Sequence, residues 1–163
     1  MLFLLFQVGP DRYALEASRV VEVVPLLQMN RIPGAPRGVA GFFQYRGQSV
    51  PAVDLCQLAL QQPAPERLGT RIIVVRHPDS QGREQLLGLV AEQATRLLRK
   101  EAAELAAPAA SAGISPHLGP LIQDPSGVIQ WIRAEHLLSS GVRDLLFPVP
   151  APAERGLQEP DSP

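Results

Sequence analysis

A chain of 163 residues with 45% apolar side chains can enclose a real core, as one domain or as two small, intimately packed ones. Its 15 Lys and Arg against 16 Asp and Glu leave a net charge of -1, which removes the long-range attraction that nucleic-acid and anionic-membrane binders rely on. The single cysteine, Cys56, excludes an internal disulfide and fits a reducing compartment.

The opening run Met1 to Phe6 is apolar, but it has no basic leader or small-residue cleavage site. Gln7, Asp11 and Arg12 interrupt it well short of the ~20 residues of a membrane span. It reads as a buried strand, Leu2 to Val8, and the protein as cytoplasmic with no direct membrane insertion. Gly9-Pro10-Asp11 is turn chemistry, after which Tyr13, Leu15 and Ala17 alternate with polar residues in period two. Val20 to Val24 continues extended. The most informative stretch, Gly41 to Leu55, reads as two strands, Val39 to Tyr45 and Ser49 to Leu55, folded back at Arg46-Gly47. Pro51 lacks an amide donor and predicts that the second arm lies on an edge or at a bulge.

Further strands are expected at Arg71 to Arg76, Gln85 to Ala91, Leu118 to Gln123 and Val128 to Ile132, the last two joined by the turn Asp124-Pro125-Ser126-Gly127. Helical signal is sparse: a turn before Gly38, a segment within Arg99 to Ala107, and a helix from Ala134 to Ser140 ended by Gly141. Ala106 to Pro116 reads as a linker. Residues 148 to 163, rich in Pro, Glu and Asp, read as a disordered tail behind a domain of residues 1 to 147. Short strands, many turns, 13 glycines and 17 prolines predict a mainly β protein built of small barrels or a sandwich.

Motifs for catalysis are missing. His77, His117 and His136 are scattered without a metal-ligand spacing, and no nucleophile elbow, phosphate loop or dinucleotide fingerprint occurs. Asp54 follows its strand as a turn or cap residue. The reading is a non-enzyme with no cofactor and no metal.

Phe3-Leu4-Leu5-Phe6 with Tyr13, then Val20-Val21-Glu22-Val23, Arg31-Ile32-Pro33, Pro36, Gly41, Arg46-Gly47, Val50 to Leu55, Leu86 to Val90 and Glu135-His136-Leu137-Leu138 follow one another in a familiar order. In these residues the chain resembles the bacterial chemotaxis coupling proteins, the CheW-like domains, over roughly residues 2 to 140. The resemblance implies two intertwined five-stranded, SH3-like β-barrels. It also implies an adaptor that bridges the cytoplasmic tip of a methyl-accepting chemoreceptor to the regulatory domain of a CheA-type histidine kinase, recruited to membrane receptor arrays.

By the same resemblance Val20, Glu22, Gly41, Arg46 and Gly88 fall on the receptor- or partner-binding surface. Each also has a plainer reading. Glu22, alone among valines, is either an outward residue of an amphipathic strand or the partner of Arg46. Val20 can be core, and Gly41 and Gly88 can serve close backbone approach or a bulge. The chain departs from the family pattern where Asn-Leu-Arg-Gly becomes Gln44-Tyr45-Arg46-Gly47 and where Asp-Gly-Val becomes Glu92-Gln93-Ala94. Without a glycine at 93 that turn, and any groove it shapes, is open to change. Such divergence suggests a pathway other than flagellar chemotaxis, for instance a Wsp-type surface-sensing system.

Two other functions compete. One is a receptor-binding scaffold without kinase coupling. The other is a small barrel that stacks single-stranded nucleic acid on Phe42, Phe43 and Tyr45, disfavoured by the missing basic charge and because Phe43 and Tyr45 share a face opposite to Phe42.

Overall fold

The computed structural model describes residues 1–101, 103, 105 and 118–149. The strands are β1 (Leu2–Val8), β2 (Asp11–Glu16), β3 (Val20–Pro25), β4 (Val39–Tyr45), β5 (Gln48–Asp54), β6 (Thr70–Pro78), β7 (Glu84–Arg99), β8 (Leu118–Asp124) and β9 (Gly127–Ile132), with short helices α1 (Leu55–Leu60) and α2 (Ser140–Leu146).

One long strand organises them. Residues 84 to 92 of β7 pair antiparallel with β6, and its Gly88 to Val90 run parallel to Ala52 to Asp54 of β5. Residues 92 to 99 of the same strand pair with β1. The first half completes a barrel of β3, β6, β7, β5 and β4, and the second half one of β7, β1, β2, β9 and β8. The two five-stranded barrels expected from the resemblance thus share a strand.

This sharing explains why several strands are apolar on both faces. Along β1, Phe3 and Leu5 enter the second barrel's core with Ala14, Ile122 and Ile129, whereas Leu4, Phe6 and Val8 face a layer between the barrels. Along β6, Ile72 and Val74 fill the first barrel with Phe43, Tyr45 and Val50, while Ile73 and Val75 join the shared layer. Successive side chains point to opposite faces, so a strand buried on both sides carries an unbroken apolar run. The sequence pattern Leu2 to Phe6 and Ile72 to Val75 follows from it.

Some expectations need correction. Strand β5 is not an edge, because it lies between β4 and β7, but its pairing with β4 is irregular beside Pro51, where Gly41 opposes Ala52 and Val39 opposes Val53. Pro51 is tolerated because it opposes Phe42 at a position that, counted from the turn, needs no amide toward β4, and the ladder to β7 begins one residue later at Ala52. The helix expected over Ala134 to Ser140 is a 3-10 turn at Ala134–His136, and α2 begins where that helix was to end. Gly141 lies inside α2, which Ser139 caps by accepting a hydrogen bond from the Val142 amide at 3.3 Å. Helix α1 was not expected, although Asp54 does cap it, accepting from the amides of Cys56 at 2.9 Å and Gln57 at 3.2 Å. Arg99, where a helical segment was to start, ends β7. Most of that segment, the linker, His117 and residues 150 to 163 of the expected tail lie outside the described residues.

Candidate binding surface

The Arg46-Gly47 turn joins β4 to β5 with positive φ at both central residues, 49° at Arg46 and 82° at Gly47, the signature of a type I′ hairpin. Glycine adopts this freely; arginine does so against steric resistance. The turn lifts Arg46 into solvent and aims it across to β3, where its Nη2 donates to Glu22 Oε1 at 2.9 Å. The side chains are 72% and 42% exposed, so the ion pair by itself adds only ~0.2–1 kcal/mol to stability.

A third residue joins them. Tyr45 Oη donates to the same Glu22 oxygen at 2.5 Å, and the Arg46 guanidinium lies 5.2 Å from the centre of the Tyr45 ring. The hydrogen bond to Glu22, followed by burial, raises the pKa of the Tyr45 phenol above its ordinary 10.0. Strands β3 and β4 share no backbone ladder. This carboxylate, phenol and guanidinium therefore bridge the seam of the first barrel through side chains alone.

Local irregularities place these groups. A bulge between Val20 and Glu22 sets Val20 opposite Val75 and Glu22 opposite Val74. Val75 faces the layer between barrels and Val74 the first barrel's interior, so the bulge turns two residues that would share a face to opposite sides. Val20 accordingly packs, half-buried, on the shared layer, while Glu22 reaches the mouth of the first barrel.

The two glycines are buried. Gly41 has φ of 133°, and a Cβ there would lie 2.3 Å from the Asn30 carbonyl oxygen. Its absence lets Asn30 exchange backbone hydrogen bonds with Phe42 at 2.7 and 2.9 Å along the outer edge of β4. Gly88 leaves room for the Phe43 ring, whose Cε1 would stand 2.5 Å from an added Cβ. Both shape the barrel from within and present no side chain to a partner. They are nevertheless in line with Glu22, since the register runs Glu22, Val74, Gly88, Ala52, Gly41 across five strands.

The departure at Glu92-Gln93-Ala94 falls where β7 passes from one barrel to the other. Gln93 keeps a φ of 56°, the conformation a glycine would take without strain, and its amide donates to the Gly69 carbonyl at 2.8 Å. Glu92 accepts from the Gly9 amide at 3.3 Å and closes a cleft of about 260 Å³ with Gly9, Cys56, Leu60 and Arg67 among its walls. The Cys56 thiol is buried there, and burial, then the Asp54 carboxylate, push its pKa up to about 11, which disfavours the thiolate.

Tyr45 is the member of the cluster that sequence reasoning missed. Its signal was present: a tyrosine on the core-facing side of β4 must bring its hydroxyl to a polar partner. Phe43 and Tyr45 are 0% and 6% exposed, so these rings form no open stacking face for bases. Among the described residues no cluster of His, Cys, Asp and Glu could hold a metal ion, and no helix is long and apolar enough to cross a membrane.

Comparison with known proteins agrees with this architecture. A chemotaxis protein CheW of Helicobacter pylori is 29% identical over 97 residues, a match spanning 60% of this chain and 56% of that protein. The crystal structure of scaffolding protein TtCheW from Thermoanaerobacter tengcongensis superposes with a TM-score of 0.73 at 19% identity, covering 89% of this chain and 92% of the other. With the CheW-like domain family matched over residues 2–142, the chain belongs to that family.

Proposed function

We propose that this protein is a non-enzymatic adaptor that couples the cytoplasmic tip of a methyl-accepting chemoreceptor to the regulatory domain of a CheA-type histidine kinase. Receptor contact is made on the Arg46 side of the first barrel. Membership of the CheW-like family and the chemotaxis role named for the Helicobacter pylori relative support the class of function. The observation that carries the site is Arg46 itself: a long cation held at positive φ, in a turn where Asn or Gly fits without strain. Strain of this kind, at a solvent-facing position tied to one carboxylate, marks a side chain kept for what it touches.

The experiment is titration calorimetry of the whole chain against a receptor-tip fragment and the kinase regulatory domain from the same genome, with Arg46→Glu and Arg46→Asn. The wild type should bind both. Arg46→Asn suits the turn and should keep the melting temperature while weakening receptor binding about tenfold or more. Binding of receptor alone would instead give a scaffold without kinase coupling. Binding of neither, or receptor binding untouched by both variants, would overturn the proposal or its site.

A further inference from the structure

The Glu22 and Arg46 pair is solvent-exposed, and an exposed ion pair is ordinarily loose, because two long side chains must be frozen to hold it. Here a third group removes that freedom. The Tyr45 ring is fixed in the first barrel's core, packed edge-on at 6.4 Å from Phe43, and only its hydroxyl reaches the seam. That hydroxyl and the Arg46 Nη2 meet on one oxygen, Glu22 Oε1, at 2.5 and 2.9 Å. The same ring lies under the guanidinium at 5.2 Å. A buried, rigid side chain thus holds Glu22 by a charge-assisted hydrogen bond and Arg46 by its π face.

We infer that Tyr45 is a positioning residue of the binding surface: its phenol locks the Glu22 carboxylate, and through it the Arg46 guanidinium, in one orientation before any partner arrives. A leucine in its place could pack the barrel but could do neither. The inference rests on the proposed receptor contact through Arg46. It adds a residue that acts without touching the partner, lowering the ordering penalty that a free arginine would incur on binding.

Tyr45→Phe keeps the ring and deletes the hydroxyl. Two measurements on the whole chain test it. The first is NMR of the Arg46 guanidinium, which needs no partner: restricted rotation of its Nη groups in the wild type, lost in both Tyr45→Phe and Glu22→Gln, is the expected result. Rotation unchanged by Tyr45→Phe would overturn the inference. The second is receptor-tip titration of Tyr45→Phe, Glu22→Gln and the double variant. Tyr45→Phe should weaken binding about tenfold at an unchanged circular-dichroism spectrum, and the double variant should be no worse than Glu22→Gln alone. Additive losses, or no loss while Arg46→Asn abolishes binding, would overturn it with the adaptor reading intact. If the wild type binds no receptor tip, the adaptor reading falls and the guanidinium measurement alone decides whether Tyr45 positions Arg46.

Discussion

Gln93 bears a conformation that its side chain disfavours, so Gln93→Gly should stabilise the protein by about 0.5–1 kcal/mol, read as a higher urea midpoint. The opposite holds at Gly88. An added methyl would meet the fully buried Phe43 ring and Ile72 Cγ2 at 2.9 Å, and Gly88→Ala should lower stability by about 1–3 kcal/mol in the same assay. Asp79 supplies a pH test. Burial would raise its pKa, but hydrogen bonds from the Gln85 side chain and the Arg83 and Gln81 amides outweigh this and lower it to about 2. A carboxylate depressed in the folded state contributes stability above its unfolded pKa and loses it as pH falls through the folded one. The urea midpoint should therefore fall between about pH 4 and pH 2, and Asp79→Asn should flatten that fall. Asp124 titrates in the same sense, held low by Ser126 and then Arg12. At this scale the sequence was only partly readable. Glu22 announced itself as a charge among valines, and its partner Arg46 was open to inference. Tyr45 signalled only that its hydroxyl needs a polar partner; that Glu22 is the partner depends on a bulge in β3 that no local pattern reveals.

Elements were legible where a single period ruled them. The hairpin at Arg46-Gly47, the Asp124 to Gly127 turn and the doubly buried β1 and β6 follow from turn chemistry and apolar patterning. Strand β7 was foreseen only to Ala91, because Glu92 to Arg99 is rich in good helix formers and pairing with β1 overrides that preference. Helix α1 was missed since Leu55 to Leu60 continues the apolar run of β5; its one marker is Asp54, whose carboxylate also accepts from the Ala64 amide at 2.9 Å. Asp54→Ala should thus cost about 1–2 kcal/mol, at the upper end for a cap, and loosen the segment after α1 in amide hydrogen exchange.

At the scale of the whole molecule, a shared strand and a shared apolar layer should make the two barrels unfold as one unit. Leu89 of β7 is fully buried in the layer between them with Leu4, Phe6, Ile73 and Val75. Leu89→Ala should cost about 2–5 kcal/mol and lower a single transition seen alike in the signals of both barrels; two separated transitions would show them to be independent. The mainly β class followed from strand spacing, and the barrel count from family resemblance. That one strand serves both barrels is visible only in the fold, since β6 is its neighbour in the chain whereas β1 opens the chain, and no local pattern ties β1 to β7.

The sheet order carries a cost in time. Strands β3 to β7 are consecutive and make one barrel, but β1 and β2 belong to the other, whose remaining strands β8 and β9 are the last made among the described strands. On the ribosome, at roughly 5–20 residues per second, β1 waits many seconds with Phe3 and Leu5 unsheltered until Gly127–Ile132 emerges. The nascent chain should therefore depend on chaperone cover in proportion to how slowly its second half is translated.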